Sequence, residues 1–508
     1  MIKKIKKIIV FGGGTSGWLT AAYLIKNLSV PTEIVLIEDA TAGPIGVGEG
    51  TQPFTARFLH DAGIPPKAWM KSSKAVFKYG VEITGFNDEP YFVDNDVPAN
   101  CMIGQGLFTS DYFVDRPYSE VRDWHPAYQL AKANVSSKYD EYLDANHGAG
   151  PESYGAVHFN AFDIINTIKE IIIDKITYID TRITDVKQDK DGITKLISQD
   201  GKEYIADLYL DCSGFSSLLL EKTLGSPFTN YAPWLPCDSA VAMPTEFKDP
   251  TAEMHPYTKS TAMTSGWRWT IPTYTRIGNG YVYSSKHITS EQAEQELRES
   301  IGEFNAPAKH LKMKCGVHKE IAVKNVCAVG LSAGFIEPLE ATGITFTTAT
   351  VQSITEVLNI NGNIWNDFAR TNLNTGFYEM TTEILAFVWA HYYFSNKNDT
   401  AFWQDIRKMK ITDLPPEAQD ILNVFLEKPL PFIFLKPNSM FCTFQWFTML
   451  HAGGAYKNVI SSLTPKQKEY SKYFIDSHTA RVELAKKMFP NQYDYLKSWY
   501  SDWESEEI

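Results

Sequence analysis

A glycine-rich turn near the start of the chain constrains the fold more than any other feature. The stretch IIVFGGGTSGWLTAAYLI, residues 8–25, begins as an apolar β-branched run, breaks at three glycines and continues with small and apolar residues at helical spacing. Gly12, Gly14 and Gly17 form the pattern G-x-G-x-x-G between a predicted strand and a predicted helix. The first glycine permits a tight turn, the second lets a pyrophosphate approach the backbone, and the third lets helix and strand pack closely. The sequence therefore predicts a dinucleotide-binding βαβ unit rather than a plain strand-to-helix corner.

The second strand of this unit, EIVLIE, ends on a carboxylate. Glu38 follows Gly17 by twenty-one residues, at a position where an acidic side chain can accept hydrogen bonds from a ribose diol. Both NAD and FAD proteins use this fingerprint. A second glycine turn, AVGLSAGF with Gly330 and Gly334, follows another apolar strand more than three hundred residues later. Such a late return to the nucleotide domain, after a β-rich insertion, favours FAD.

Composition and charge exclude several classes of protein. The chain has 508 residues, 44% of them hydrophobic, which is enough for a large core divided among two or three structural units. The net charge of −12 argues against a nucleic-acid-binding protein, which normally presents a basic face. No apolar run reaches membrane-spanning length, and the six cysteines lack metal-type spacing. We therefore expect a soluble, cytoplasmic protein with no bound metal, no nucleic-acid partner and no membrane anchor.

The order of the predicted elements gives a fold class and a division of the chain. The runs KITYIDTRITDV and GITKLISQ predict two strands joined by a hairpin turn at DKDG, and strand-like segments continue to Lys286. We predict an α/β fold, with a Rossmann-like FAD-binding domain of the flavin monooxygenase type, a β-rich insertion and a mostly helical C-terminal substrate domain. The FAD-binding module is expected at residues 1–360, with nucleotide-binding parts at about 1–55, 155–220 and 320–360. The helical substrate cap is expected at residues 361–508.

Seven stretches of the chain match the motifs of one family. They are GGGTSGW, GVGEGTQP (Gly46–Pro53), FKYGV (Phe77–Val81), DCSGF (Asp211–Phe215), WRWTIP (Trp267–Pro272), GFIEPLEATGI (Gly334–Ile344) and HYYFSNKNDTAFW (His391–Trp403). Together they resemble the flavin-dependent halogenases of the tryptophan-halogenase type, over about residues 7–455. The tryptophan motif and the glycine fingerprint form a specific pair, because aromatic hydroxylases that share the fold generally lack the former.

The resemblance implies a halogenation reaction, in which the tryptophan motif would control access to the flavin. Such enzymes convert FADH2, O2 and a halide (chloride, bromide or iodide) to hypohalous acid, which halogenates an electron-rich aromatic carbon. Trp267 and Trp269 alternate on one predicted strand, so both indoles face the same side. Beside a flavin, this wall, with Pro272 at its end, would keep an organic substrate away and leave halide as the nucleophile that reaches the flavin.

Lys78 and Glu340 match the catalytic residues of the family. On a strand with Phe77 facing inward, Lys78 points the other way, which for most lysines means a solvated surface. By resemblance its amine instead holds hypohalous acid through a hydrogen bond or becomes a haloamine, and partial desolvation would lower its pKa. The carboxylate of Glu340 can stabilise positive charge on an arenium intermediate and remove its proton, or complement a helix dipole.

The helical run that follows Glu340 predicts an anion site. Thr342 is a natural N-cap, and the N–H groups after it can face a halide or the anionic edge of reduced flavin. By resemblance Thr342 and Gly343 bind halide through backbone groups, and Ile344 touches the flavin ring. The residues expected to contact FAD are Gly12, Gly14, Thr15, Ser16, Gly17, Glu38, Val47, Gly48, Glu49, Gly330 and Ile344.

The sequence departs from the tryptophan enzymes where substrate would be held. Ala341 stands where they usually have serine, GFND replaces their F-x-N-W, and FQWFTMLHAGGAY (Phe444–Tyr456) lacks the residues that clamp free tryptophan. The resemblance therefore carries the chemistry but leaves the substrate as a small indole, phenol or similar arene.

The absence of a second G-x-G-x-x-G bears on the partners of the protein. We expect a separate NAD(P)H-dependent flavin reductase to supply FADH2, and the sequence leaves a homo-oligomer open. Two other functions also stay open: a flavin-dependent aromatic monooxygenase that hydroxylates its substrate, and a non-catalytic flavin-binding or ligand-binding protein. The presence of both Lys78 and Glu340 argues against the non-catalytic protein.

Overall fold

The structure is a computed structural model, and it describes residues 4–41, 49–95, 108–136, 155–430 and 439–505. Its strands are β1 Lys7–Phe11, β2 Glu33–Glu38, β3 Glu49–Gly50, β4 Val76–Lys78, β5 Gly80–Thr84, β6 Tyr91–Asp94, β7 Ala156–Phe159, β8 Thr177–Asp180, β9 Ile183–Asp189, β10 Gly192–Ser198, β11 Glu203–Tyr204, β12 Leu208–Asp211, β13 Phe228–Asn230, β14 Ser239–Thr245, β15 Thr258–Met263, β16 Gly266–Pro272, β17 Ile277–Tyr283, β18 Lys309–Lys312, β19 Gly316–His318, β20 Ala322–Val323, β21 Val326–Ala328 and β22 Gly334–Phe335.

The α-helices of the described residues vary widely in length. They are Thr15–Asn27, Phe54–Asp61, Pro66–Ser72, Thr109–Phe113, Tyr118–Trp124, Pro126–Lys132, Ala161–Ile172, Pro250–Glu253, Ser290–Ile301, Gly343–Ile360, Asp367–Tyr393, Ala401–Ile406, Pro416–Glu427, Thr443–Ala452, Pro465–Met488 and Gln492–Ser505. Within the described ranges, no helix combines the length and the apolarity needed to cross a membrane.

The chain divides into two compact units, each made of three segments. The first unit contains Met1–Ser73, Asn160–Ala232 and Lys314–Thr381, and the second contains Lys74–Phe159, Pro233–Met313 and Thr382–Ile508.

The first unit is built on a six-stranded sheet with the order β20-β21-β12-β1-β2-β8. Its five strands from β21 to β8 are parallel to their neighbours, and β20 is antiparallel. Numbered along the chain, the five parallel strands follow the order 3-2-1-4-5 across the sheet. This is the doubly wound arrangement in which ligands bind beyond the carboxyl end of the first strand. The predicted Rossmann-like fold is confirmed.

Burial explains why the first predicted strand forms where the sequence indicates it. Ile8, Ile9 and Val10 have no exposed surface, as expected for a parallel strand that is covered on both faces. The helix Thr15–Asn27 follows the glycine turn and packs against the helices Ala161–Ile172 and Gly343–Ile360. The sheet, the turn and the helix therefore form as the glycine fingerprint predicts.

The second unit contains a seven-stranded sheet with the order β18-β14-β17-β16-β15-β5-β6. Neighbouring strands are antiparallel except for β15 and β5, which are parallel. A separate antiparallel pair joins β4 to β7. The same unit contains the C-terminal helices from Ala401–Ile406 to Gln492–Ser505. The predicted β-rich insertion and helical C-terminal region are both present.

One local prediction is half right. The hairpin at DKDG forms, with Asp189 opposite Gly192 in an antiparallel pair. The run KITYIDTRITDV, however, is not one strand, because it divides into β8 and β9. β8 pairs with β2 in the parallel sheet, whereas β9 pairs with β10 in a three-stranded sheet. β8 runs parallel to β2, whereas β9 runs antiparallel to β10, so the strand is interrupted between Asp180 and Ile183.

Candidate active-site residues in two units

The first and third glycines of the fingerprint are fixed by close packing. Gly12 has a φ of +118°, and a Cβ added there would lie 2.3 Å from the carbonyl oxygen of Cys212. A Cβ on Gly17 would lie 1.9 Å from the carbonyl oxygen of Gly12. Neither position can hold a side chain without moving backbone, which agrees with the roles predicted for them.

The second glycine differs because it faces open space. Gly14 is the N-cap of the helix Thr15–Asn27, no side chain caps that helix end, and a Cβ on Gly14 would meet no atom within 4 Å. The helix start is therefore uncapped and has open space beside Gly14, so its first N–H groups can bind an anion. The backbone of Gly12–Gly17 fits the pyrophosphate of a dinucleotide.

The two glycine turns of the sequence meet in the structure. Gly330 has a φ of +69°, and a Cβ there would lie 2.0 Å from the hydroxyl oxygen of Ser16. Ser16 is part of the first turn, so residues more than three hundred positions apart in the chain are neighbours. The second glycine turn therefore lies beside the first, within the same unit.

Glu38 lies at the same edge of the sheet but already has partners. Its Oε1 accepts hydrogen bonds from Lys169 Nζ at 2.8 Å and from the hydroxyl of Tyr178 at 2.6 Å. Burial and the hydrogen bond to Glu38 raise the pKa of Tyr178. The second oxygen, Oε2, lies beside Gly13, where an added Cβ would be 1.6 Å away. Oε2 is thus the carboxylate atom next to the glycine turn.

Lys169 and Tyr178 are absent from the sequence-based set of functional residues. Lys169 Nζ also lies 5.1 Å from the ring centroid of Trp18 and 4.8 Å from that of Tyr178, distances at which a cation is attracted to a ring face. No local pattern signals this pairing, because 131 residues separate Lys169 from Glu38.

The motif DCSGF lies in the first unit, next to the glycine turn. Asp211 is fully buried, and its carboxylate accepts hydrogen bonds from the backbone N–H groups of Leu219 and Leu220 and from Ser213. Burial raises the pKa of Asp211, and these hydrogen bonds oppose that rise. The carbonyl of the next residue, Cys212, is the atom that crowds Gly12. The motif therefore shapes the glycine turn.

Glu340 lies in a tight, buried bend just before the helix Gly343–Ile360. It ends the 3₁₀ turn Pro338–Glu340, has no exposed surface, and is followed by Ala341 in the left-handed conformation at a φ of +54°. Gln52 Nε2 donates a hydrogen bond of 2.9 Å to the carbonyl oxygen of Glu340. The motif that contains Gln52 and the motif that contains Glu340 are thereby brought together in the first unit.

The start of the helix Gly343–Ile360 is open. Thr342 occupies the predicted N-cap position, but its backbone is helical (φ −83°, ψ −12°) and its side chain does not cap the helix. The Thr342 hydroxyl is buried and has no hydrogen-bond partner among the described residues. A Cβ on Gly343 would meet no atom within 4 Å. The first N–H groups of this helix, including that of Ile344, are therefore not satisfied by a side-chain cap.

Two of the predicted FAD contacts, Val47 and Gly48, lie outside the described residues. Glu49 begins the two-residue strand β3, and Thr15 begins the helix after the glycine turn.

In the second unit, Lys78 is buried rather than solvated. It ends β4 and is 1% exposed. On the adjacent position, Phe77 is also buried, and its ring lies 5.7 Å from that of Trp499 and 6.2 Å from that of Tyr495. Both faces of β4 are therefore covered. The surface interpretation of this lysine is wrong, because the strand has no solvent-exposed face.

The two tryptophans of WRWTIP face the same side of β16. The ring centroids of Trp267 and Trp269 are 6.3 Å apart, and both side chains are buried. Trp269 stands opposite Gly280 on β17, and a Cβ on Gly280 would lie 2.0 Å from the indole ring. The strand ends at Pro272, which is also buried. The two indoles therefore lie on one side of the strand, as the alternation predicts.

His158, on β7, is a further residue that the sequence-based prediction missed. It has no exposed surface, and its Nε2 lies 2.8 Å from the hydroxyl oxygen of Thr258. Burial and the positive charge of Lys78 lower the pKa of His158 well below its usual value of 6.5, whereas the carbonyl of Pro272 opposes this shift. His158 thus links the strand of Lys78 to the end of the tryptophan strand.

Comparison with known proteins identifies the family of this chain. The family model described as tryptophan halogenase matches residues 7–469. The tryptophan 6-halogenase ThaL of Streptomyces albogriseolus is 31% identical over 457 residues, which cover 85% of this chain and 84% of that protein.

Solved structures of the same class share the fold over nearly the whole chain. The tryptophan 6-halogenase SttH of Streptomyces toxytricini has a TM-score of 0.84 at 25% identity, covering 97% of this chain and 99% of that chain. BrvH, a flavin-dependent halogenase from Brevundimonas sp. BAL3, has a TM-score of 0.80 at 25% identity and covers 97% of this chain and 99% of that chain. The chain belongs to the tryptophan halogenase family and is a flavin-dependent halogenase.

Proposed function

We propose that this flavin-dependent halogenase uses FADH2, O2 and halide to place a halogen on an electron-rich arene of the indole or phenol type. The observation that carries the proposal is Lys78, a lysine with 1% exposure at the family's catalytic position. A flavin-dependent hydroxylase, the alternative function, passes oxygen directly to its substrate and needs no amine to carry a halogen.

FAD would be held by the first unit. The backbone of Gly12, Gly14 and Gly17 would hold the pyrophosphate at the open helix start, and Glu38 would meet the ribose through Oε2. Bound FADH2 would supply two of the four electrons that reduce O2, and halide would supply the other two, so that the halide becomes hypohalous acid. The remaining expected contacts with FAD are Thr15, Ser16, Val47, Gly48, Glu49, Gly330 and Ile344.

Halide would bind at the start of the helix Gly343–Ile360. The N–H groups there are not capped by Thr342, and a Cβ on Gly343 would meet no atom within 4 Å. Because a helix N-terminus carries a partial positive charge, such a site favours a small anion.

Lys78 would hold the oxidised halogen and Glu340 would assist its transfer. The amine can donate a hydrogen bond to hypohalous acid, or it can displace hydroxide from it, so that R–NH2 and HOX give R–NHX and water. The buried carboxylate of Glu340 can stabilise the positive charge that develops on the ring and accept the proton that leaves. The wall of Trp267, Trp269 and Pro272 would exclude the arene from the flavin.

The proposed substrate is a small arene rather than free tryptophan. Ala341, beside Glu340, offers no hydroxyl, and the sequence lacks the residues with which the tryptophan enzymes hold free tryptophan. We further propose that a separate NAD(P)H-dependent flavin reductase supplies FADH2 and that the protein works in the cytoplasm.

The experiment that tests this function is mass spectrometry of an indole and phenol library. The protein is incubated with FAD, a flavin reductase, NADH and each of chloride, bromide and iodide in turn. Halogenated arenes that depend on halide are the expected result. Oxygenated arenes formed without halide would instead establish the hydroxylase.

A further inference from the structure

His158 and Lys78 share one face of the β4–β7 strand pair. The antiparallel register places Lys78 opposite Ala156 and Val76 opposite His158. Because side chains two residues apart on a strand point the same way, Lys78 and His158 are diagonal neighbours on one face. Ala156, directly opposite Lys78, has only a methyl group and leaves room for the lysine side chain.

The imidazole of His158 is fixed on this face. The ring has no exposed surface, and its Nε2 is 2.8 Å from the hydroxyl of Thr258, the first residue of β15. A hydrogen bond to one ring nitrogen sets the orientation of a buried imidazole. A group held in this way can define where its neighbour lies.

The charges of the two residues are coupled. Burial and the charge of Lys78 hold the pKa of His158 well below 6.5, so near neutral pH the imidazole is uncharged. The pair then carries one positive charge rather than two. Two positive charges on neighbouring side chains of a buried strand pair would each favour losing a proton.

We propose that His158 is a positioning residue for Lys78, whose anchored ring fixes the place of the lysine amine and adds no charge beside it. This inference rests on the proposed function of Lys78 as the group that carries the halogen. A carboxylate in place of the imidazole would form an ion pair with the amine and withdraw it from reaction.

The test compares His158→Gln with His158→Glu, two side chains of nearly equal size that differ in charge. We expect His158→Gln to lower the rate of arene halogenation by about tenfold, the cost of one altered hydrogen bond. We expect His158→Glu to lower it by a further 100-fold or so, because an opposite charge raises a neighbouring pKa by about 1–3 units. Oxidation of FADH2 by O2 should be the same in both variants.

A second measurement follows the amine itself. The titration of Lys78 is recorded by NMR of protein with labelled lysine, in which Lys78→Ala identifies the signal. The pKa of Lys78 should be higher in His158→Glu than in His158→Gln. Equal titration in the two variants, or equal halogenation despite unequal titration, overturns the proposal. If the titrations differ but the wild type makes no halogenated arene, the proposed function fails while the pairing of the two residues stands.

Thr258→Val provides the test if neither His158 variant folds. It keeps the imidazole and removes its anchor, so halogenation should fall by about 2- to 10-fold with FADH2 oxidation unchanged. A wild-type halogenation rate in Thr258→Val would show that the anchor has no role and would overturn the proposal.

Discussion

The two units of the chain present their candidate functional groups in opposite ways. In the first unit the groups are mainly backbone N–H groups at helix starts, where a Cβ on Gly14 or Gly343 would meet no atom within 4 Å. In the second unit the group is a side chain, Lys78, enclosed by strands and 1% exposed. A backbone site survives most side-chain changes but not added bulk, whereas a side-chain site fails when its one functional group is removed. The comparison predicts different results for variants of the two units.

The largest expected effect belongs to the side chain of the second unit. Lys78→Ala should form no halogenated arene, because the amine that would carry the halogen is removed, yet FADH2 should still be oxidised by O2 at the wild-type rate. Flavin absorbance in a stopped-flow instrument, run beside product analysis, separates the two steps. Full halogenation by Lys78→Ala would mean that this lysine has no catalytic role.

Glu340 tests whether the first unit depends on backbone groups alone. Glu340→Gln keeps the size and burial of the side chain but removes its charge, so the rate of product formation should fall by about 10²- to 10⁴-fold. FADH2 oxidation should not change, and the same stopped-flow experiment with product analysis measures both rates. An unchanged product rate would leave Glu340 with only a role in the buried bend.

Added bulk should damage the backbone site of the first unit. In Gly14→Val the new Cβ would meet no protein atom within 4 Å, so the fold should persist, but the side chain would occupy the position of the pyrophosphate. Affinity for FAD should fall at least about 100-fold in a fluorescence titration. Gly376→Val is a matched control, because a Cβ at this helical glycine also meets no atom within 4 Å. Normal FAD affinity in Gly14→Val would refute the pyrophosphate assignment.

The choice of substrate should reflect the residues that the tryptophan enzymes have and this chain lacks. With Ala341 in place of serine and no recognised clamp, free tryptophan should bind with a Kd of about 1 mM or weaker. Simple indoles and phenols should be halogenated faster. Isothermal titration calorimetry with tryptophan measures the first quantity and competition assays the second, and tight tryptophan binding would contradict the prediction.

The smallest effect distinguishes two threonines at helix starts. Thr289 has an extended backbone and caps the helix Ser290–Ile301 through a capping box with Gln292, whereas Thr342 does not cap its helix. Thr289→Val should therefore cost about 1 kcal/mol of stability, seen as a lower thermal midpoint. Thr342→Val should leave the midpoint unchanged. Equal losses would show that both hydroxyls serve as caps.

The sequence predicts the fold best where partners are close in the chain. β1, the glycine turn and β2 are contiguous, so the periodicity of residues 7–38 specifies all three, and the burial of Ile8, Ile9 and Val10 agrees with it. The tryptophan wall follows from alternation along a single strand. The twelve-residue run beginning at Lys175 is predicted as one strand but forms two, because its first half pairs with β2 and its second half pairs with β10.

The parts of the site that were missed depend on distant partners. His158 lies eighty residues from Lys78, and Tyr178 lies 140 residues from Glu38, so no local pattern joins them. The sequence predicts the position of Thr342 at the helix start correctly, but it does not predict that the Thr342 side chain fails to cap the helix. That failure follows from its helical backbone after the left-handed Ala341, a conformation that propensity alone does not indicate.

The contact between Trp269 and Gly280 limits how this protein can evolve. Any side chain larger than hydrogen at position 280 overlaps the indole ring, with a Cβ only 2.0 Å from it. A smaller residue at position 269 alone would leave a void beside the glycine, which is destabilising in a close-packed interior. Each change is therefore destabilising when the other residue stays native. A smaller residue at position 269 combined with a larger one at position 280 can restore the packing. Directed evolution of this pair should vary positions 269 and 280 together, because a library that changes one position at a time contains only the poorly packed single variants.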